Sequence, residues 1–448
     1  MMKVRLLSMV AAVAIAVCAQ ANAQEGESLE RALADLNNGV IAPSAQNGAV
    51  SALGSSSLGI SGDARIRNTW LNPVNKSSDQ KNVDARLRLG FEFDVNPDAG
   101  AYVLFNAHEN WGAVPGLGRN VATREAPNLN TGSVEQAYFT GRNVIFEGEE
   151  WRFGRSAYNF GSGRILGTDD WNQLPASYSG VWYSNSFEGV AFESFMITDI
   201  FNAGGFNGNW TRKIGGAIPG DRDLYGLMVD WGFDGIDFLG DVDLNPYILR
   251  LSSQGAPNGT QTWYGFEAGG GLTEVVDWDF EAVWVDSERI NDPSMGDFSA
   301  IALDFDIDLT ELLGDGLPAG LDPSLTAGLA KADAANPTIN PVYHDTAGIY
   351  DLQNRLGRPG VWSGQADSWY LGLSAEPVEG WESNLTLVHF DDSNPAGGNT
   401  NADARELDLS VAHTFHNGTA LWVGWGWVDF NALSSDAFIA YASLSLPF

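Results

Sequence analysis

Four arginines recur at every second position in two nearby stretches, Arg65 with Arg67 and Arg86 with Arg88. A guanidinium does not lose its proton in a protein, so these pairs could attract or steer anions. Acids recur in the same way at Asp304, Asp306 and Asp308, at Asp277 and Asp279, at Glu92 and Asp94, and singly at Asp63. A spacing of two puts side chains on one face of a β-strand. The chemistry on offer is therefore a charged wall. A reaction centre finds little support: His108, His344, His389, His413 and His416 show no Ser-His-Asp grouping and no metal-ligand spacing. Glu149-Glu150 and Asp391-Asp392 read as solvated turn residues rather than a glycosidase pair. No EF-hand loop appears, and no cofactor or metal is implied.

The elements that carry these charges alternate with period two. Val83, Ala85, Leu87, Leu89, Phe91, Phe93 and Val95 interleave with Asp84, Arg86, Arg88, Gly90, Glu92 and Asp94. Ile301, Leu303, Phe305, Ile307 and Leu309 interleave with Ala302, Asp304, Asp306 and Asp308, and residues 58–70 behave alike. One face suits lipid and the other water. Short connections, such as Asn96-Pro97-Asp98-Ala99-Gly100, alternate with long ones near 111–132, 158–178, 201–220 and 331–365. Short periplasmic turns and long outer loops are the habit of outer-membrane barrels. The expected fold class is all-β: a transmembrane antiparallel β-barrel of about 18 strands with a short N-terminal periplasmic helix.

Both termini agree. Lys3 and Arg5 precede an apolar stretch at 6–19 that is too short to span a bilayer, and Ala21-Asn22-Ala23 is a small-residue cleavage site. Residues 1–23 are thus expected to be a signal peptide. Cys18 leaves lipidation open, though Val17 sits where that processing prefers a small residue. Leu29, Ala32, Leu33 and Leu36 share one face of a helix over 28–38, ended by Gly39 and followed by a Gly/Ala/Ser linker. The expected division is 1–23 signal peptide, 24–57 helix and linker, 58–448 barrel. At the other end Leu444, Leu446 and the terminal Phe448 lie on one apolar face, the pattern that barrel-assembly machinery reads as an insertion signal.

Net charge is −33, from 24 Lys and Arg against 57 Asp and Glu. This excludes general nucleic-acid binding, which needs a basic footprint. Sixteen Trp and 52 Gly suit aromatic girdles and tight turns. The expected surroundings are outer-membrane lipid and lipopolysaccharide.

The segment 151–184 reads WRFGRSAYNFGSGRILGTDDWNQLPASYSGVWYS. Gly154, Arg155, Phe160, Gly161, Arg164, Leu166, Gly167, Asp170 and Trp171 match a pattern that resembles the alginate-export family of outer-membrane porins. LGLSAEP at 371–377 and ELDLSVAHTF at 406–415 resemble it again. The resemblance implies an 18-stranded barrel but does not establish a substrate.

In a barrel this wide, inward charges set which solutes pass. The pore-lining basic set is expected to be Arg65, Arg67, Arg86, Arg88, Arg152, Arg155 and Arg164. The acidic set is Asp63, Glu92, Asp94, Asp304, Asp306 and Asp308, nearer the periplasmic mouth. The arginines are expected to attract anions locally, because distant loop carboxylates lie beyond a Debye length of about 8 Å. Alternatively, the charges pair across strands and only solvate the wall. Three functions follow: passive diffusion of small hydrophilic solutes, transport of an acidic oligosaccharide, or a plugged barrel acting as an adhesin or structural protein.

Overall fold

The computed structural model describes residues 57–448 apart from 73–79, 112–130, 169, 171–173, 188, 202–221, 237–239, 254–258, 290–297, 314–320, 333–365, 393–402 and 431–436. The expected signal peptide, Cys18, the helix at 28–38, its linker and Trp171 lie outside the described residues.

An 18-stranded antiparallel sheet closes on itself. Its first half comprises β1 (Ser57–Asn72), β2 (Gln80–Asn96), β3 (Ala99–Trp111), β4 (Thr131–Arg142), β5 (Glu150–Ser156), β6 (Ser177–Phe187), β7 (Val190–Phe201), β8 (Arg222–Ile236) and β9 (Gly240–Ser253). The second half comprises β10 (Gly259–Thr273), β11 (Val276–Arg289), β12 (Phe298–Asp308), β13 (Ser324–Ala332), β14 (Ala366–Val378), β15 (Trp381–Asp392), β16 (Asp403–Thr414), β17 (Ala420–Phe430) and β18 (Ala437–Pro447). Strands pair with their neighbours in sequence, and β1 pairs with both β2 and β18, which leaves no open edge. A five-residue helix α1 (Leu309–Leu313) lies between β12 and β13, on the side of the short turns. Asp308 starts it, its Oδ1 accepting the amides of Thr310 at 2.7 Å and Glu311 at 3.3 Å.

The seam runs from Asn72 opposite Phe438 to Asp63 opposite Pro447, and Gly62 and Phe448 end it. Each backbone amide donates to the other's carbonyl, at 2.8 and 3.0 Å. A Cβ on Gly62 would meet the Phe448 ring at 2.6 Å, so only glycine lets the terminal ring lie flat across β1. Pro447 is tolerated because pairing between β18 and β17 stops at Ser445 and Ala420, where its missing N–H is not needed. Leu444, Leu446 and Phe448 are all exposed on the outer face, as their spacing predicts.

Outward-pointing residues such as Ile66, Phe105, Leu371 and Trp425 are exposed, a surface suited to lipid. The inward face is less uniform than the sequence pattern predicts. Leu224, Leu249, Trp263, Val283, Val388 and Ile439 turn inward and are buried. They share one hydrophobic cluster with Phe160, Ile165 and Leu166 of the β5–β6 connection. Side chains and a loop therefore fill part of the interior, where the width of the barrel predicts open water.

Candidate functional site

The register of β1 on β2 places Arg65 opposite Arg86, Asp63 opposite Arg88 and Arg67 opposite Asp84. Like charges facing each other across strands repel, so this cluster needs acids to hold it. Arg67 donates from Nε and Nη2 to Asp84 Oδ2, at 3.2 and 3.1 Å, and both side chains are wholly buried. Arg88 pairs with Asp63, and Arg86 Nη2 reaches the other Asp63 oxygen at 3.3 Å. Glu135 of β4 lies 3.6 Å from Arg88 Nη1 and accepts Asn106 Nδ2 at 2.6 Å. The fourth acid, Asp170, comes from the β5–β6 connection. Arg86 grips it fork to fork, Arg88 Nη1 donates to its Oδ1 at 2.7 Å, and Arg65 Nη1 donates to its backbone carbonyl at 2.7 Å. The four guanidiniums thus meet Asp63, Asp84, Glu135 and Asp170. Of the two expectations for these arginines, the geometry supports the one in which the charges pair: the tertiary fold brings an equal number of carboxylates to the same place.

The described part of the β5–β6 connection, 157–168, 170 and 174–176, lies inside the barrel and reaches the far wall. Phe160 packs edge-on against Phe195 of β7 and Tyr247 of β9, with ring centroids 5.6 and 5.2 Å apart. Tyr158 adds contacts to Phe195 and Trp182. At Gly161 the backbone has φ +51°, and a Cβ there would lie 2.0 Å from Glu267 Oε1. This close approach lets the Ser162 amide donate to Glu267 at 2.7 Å and its hydroxyl to Glu281 at 2.7 Å. Arg164 then pairs with Glu281 of β11 at 3.3 Å and with Asp304 of β12. Tyr247 and Tyr370 donate hydroxyls to Glu281 and Asp304, at 2.8 and 2.7 Å, and fix both carboxylates. The loop also bonds to itself: the Phe160 amide donates to the Leu166 carbonyl, and the Thr168 hydroxyl to the Ala176 carbonyl.

Electrostatics reinforce both ends. Burial pushes the Arg164 guanidinium down, but Asp304 and Glu281 outweigh it and hold it above its ordinary range. Desolvation pushes the Asp170 carboxyl up, yet Arg86 and Arg88 hold it below the usual carboxylate range. Asp170 keeps 58% of its side chain exposed, so this clasp works at a wet boundary.

The other expected pore residues fall apart. Arg152 faces inward, 3.3 Å from Glu150 and over the Tyr138 ring at 5.0 Å. Arg155 is corrected. It shares the outward row of Trp151 and Phe153, opposite Ala137 and Ser179, and its guanidinium donates to Ser179 Oγ at 3.3 Å. Arg152 and Arg155 are three residues apart, which in a strand means opposite faces. Glu92 and Asp306 are exposed on well-separated parts of the inner wall, Asp94 accepts Ser57 Oγ at 2.9 Å, and Asp308 serves α1. Asp277 and Asp279 stand opposite Asp306 and Asp304, making one acidic strip. Sequence reasoning left out Glu135, Glu267 and Glu281. Glu281 continues the two-residue spacing of Asp277 and Asp279, a signal that was present. Glu135 lies at a register shift between β3 and β4, which breaks the alternation. Among the described residues no His, Cys, Asp and Glu group is arranged to hold a metal ion.

No family model matches the chain, and no curated protein matches it. Solved structures do. OccK2 (OpdF) of Pseudomonas aeruginosa superposes with a TM-score of 0.62 at 13% identity, covering 87% of this chain and 97% of that one. OccAB4 of Acinetobacter baumannii gives 0.60 at 10% identity, with 87% and 98% covered. A BenF-like porin from Pseudomonas fluorescens Pf-5 gives 0.59 at 12% identity, with the same coverage of 87% and 98%. What this chain shares with those proteins is the 18-stranded barrel fold.

Proposed function

We propose that the protein is an outer-membrane porin through which small hydrophilic solutes diffuse past the clasped loop. The observation that carries this reading is that the β5–β6 connection is held to the basic wall of β1 and β2 at Asp170 and to the acidic wall of β11 and β12 at Arg164. A segment tied at both ends can narrow a barrel without sealing it. Porin structures among the solved barrels support the same reading, as does the apolar outer face. The signal peptide at 1–23, passage to the outer membrane through the barrel-assembly machinery, and surroundings of lipid and lipopolysaccharide complete it.

The charge balance sets the selectivity we propose. Arg65, Arg67, Arg86 and Arg88 are matched by acids, while Glu92, Asp277, Asp279 and Asp306 remain exposed inside the barrel. The open part of the lumen therefore favours cations and neutral solutes. That balance makes acidic oligosaccharides, the cargo suggested by the alginate-export resemblance, the poorer candidates. Planar-bilayer recording tests the proposal: stepwise conductance with a reversal potential on the cation side is expected. A barrel that inserts without conducting would overturn it in favour of an adhesin or structural role.

A further inference from the structure

Among the described residues, the connection between β4 and β5 carries the longest run of exposed apolar side chains on the short-turn side, where the β6–β7 and β14–β15 turns show one each, Phe187 and Val378. Asn96-Pro97-Asp98 and His416-Asn417-Gly418 are polar, as turns facing water should be. At 143–149 the chain instead carries Val144, Ile145 and Phe146, exposed by 65, 65 and 60%. Three adjacent apolar side chains in water are costly, roughly 25 cal/mol for each Å² left uncovered.

The turn is also held rigidly, and to one side. Asn143 adopts φ +52°, a conformation that asparagine tolerates better than most residues. Its amide donates to the Glu149 carbonyl at 3.0 Å, and its side chain accepts the Gly148 amide at 2.8 Å. Asn143 Nδ2 and the Arg142 amide both donate to Asp98, at 2.7 Å each, tying this turn to its neighbour. Val144 leans over the outward side of Gly141, where a Cβ would lie 3.2 Å from Val144 Cγ2. Glu149 stands in the outward row with Trp151 and is buried beside it and Tyr183. Its carboxylate accepts the backbone amides of Ile145 and Phe146. Trp151 in turn packs on Tyr183 at 4.5 Å and on Phe153 at 5.8 Å, and Tyr183 on Phe192 at 5.7 Å. The apolar tip is thus continuous with an outward aromatic row, and Trp and Tyr are enriched at membrane–water boundaries.

We propose that Val144, Ile145 and Phe146 form a foot that inserts into the periplasmic leaflet of the bilayer, at the boundary between headgroups and acyl chains. This rests on the outer-membrane reading above. A turn entering lipid must satisfy its own amides, because no water is there to do so. Glu149 and Asn143 supply acceptors for that purpose. The occupant is a lipid surface, reached by apolar contact.

Site-directed spin labelling tests it on the full chain folded in phospholipid vesicles, with Cys18→Ser removing the native thiol. Nitroxides are placed at Ile145→Cys and separately at Phe146→Cys, so that one poorly folding variant does not decide the matter. Leu89→Cys reports the lipid-facing mid-strand and Asp98→Cys the polar neighbouring turn. Collision with oxygen, which partitions into lipid, is compared with collision with a water-soluble nickel chelate. Positions 145 and 146 are expected to favour oxygen several-fold more than position 98. If they favour nickel while position 89 favours oxygen, the foot stands in water or against a periplasmic partner, and the proposal is overturned. If position 89 also favours nickel, the membrane reading itself falls.

Discussion

Arg86 and Asp170 meet fork to fork, Nη1 to Oδ1 at 3.1 Å and Nη2 to Oδ2 at 3.0 Å, across 84 residues of sequence. Two parallel bonds of this kind fix orientation as well as distance. They join a strand of the wall to a loop within the barrel, so their rupture should change the pore more than the fold.

Asp170→Asn should therefore loosen the loop. A charge-assisted pair is worth about 1.5–3 kcal/mol when dry, and less here because Asp170 is largely exposed. A loss of about 1 kcal/mol would shift loop seating roughly fivefold. Single-channel records should show larger or noisier current steps with the barrel's thermal stability unchanged. Unaltered records would mean that the aromatic contacts of Phe160 hold the loop alone.

Acid should act on the same clasp. The carboxyl of Asp170 titrates lower when gripped than when the loop is free, where a pKa of about 3.9 applies. The stabilisation is thus complete above that value and is lost as pH falls through the lower, gripped one. Channel noise should rise only in that acidic window, and the rise should be absent in Asp170→Asn. A transition near neutrality would point to another group.

Gly161→Ala should unseat the other side of the loop. Positive φ costs a non-glycine residue about 1–2 kcal/mol, and the new methyl would collide with the Glu267 carboxylate. Limited proteolysis within 157–176 should become faster. Glu267→Ala alone removes the acceptor of the Ser162 amide and sets the baseline; Gly161→Ala should loosen the loop less in that background than in the parent chain, and an equal increment would assign the whole effect to the backbone.

Register predicts a contrast between adjacent faces. Leu89→Arg puts a cation on the lipid side and should cost about 2–4 kcal/mol in lipid-based unfolding titrations. Glu92→Arg, three residues on and facing inward, should leave stability nearly unchanged and move the reversal potential toward anions. Gly90 is a poor inward control, because a side chain there would meet Tyr102 Oη at 2.8 Å and Ser61 Oγ at 2.9 Å. Equal destabilisation at 89 and 92 would contradict the faces assigned to β2.

The seam offers a fifth test. Gly62→Ala would press on the Arg88 carbonyl at 2.4 Å and on the Phe448 ring. It should weaken the closure of β1 on β18 and lower the temperature at which the folded band on a gel gives way to the unfolded one. Phe448→Ala should relieve the ring collision in the double variant. Indifference to both substitutions would show that the strand pairing from Asp63 onward closes the barrel without the terminal pair.

Much of this protein was legible in its sequence, because a barrel is built from local rules. Alternation in 83–95 sent Leu87, Leu89 and Phe91 outward and Arg86 and Arg88 inward, as in β2. Short and long connections marked the two ends, and the terminal apolar row announced the closing strand. Even the inward Arg67 and Asp84 shared a legible face. What only the tertiary structure decided is how those charges are answered. Asp170 reaches Arg86 across 84 residues and Arg164 reaches Asp304 across 140. Neither contact follows from strand period, since the loop that carries Asp170 and Arg164 has none. A periodic pattern assigns a side chain to a face, whereas pairing requires a second chain segment to arrive at that face. Arrival is set by closure of the whole barrel and by the packing of Phe160 against Phe195 and Tyr247 within it.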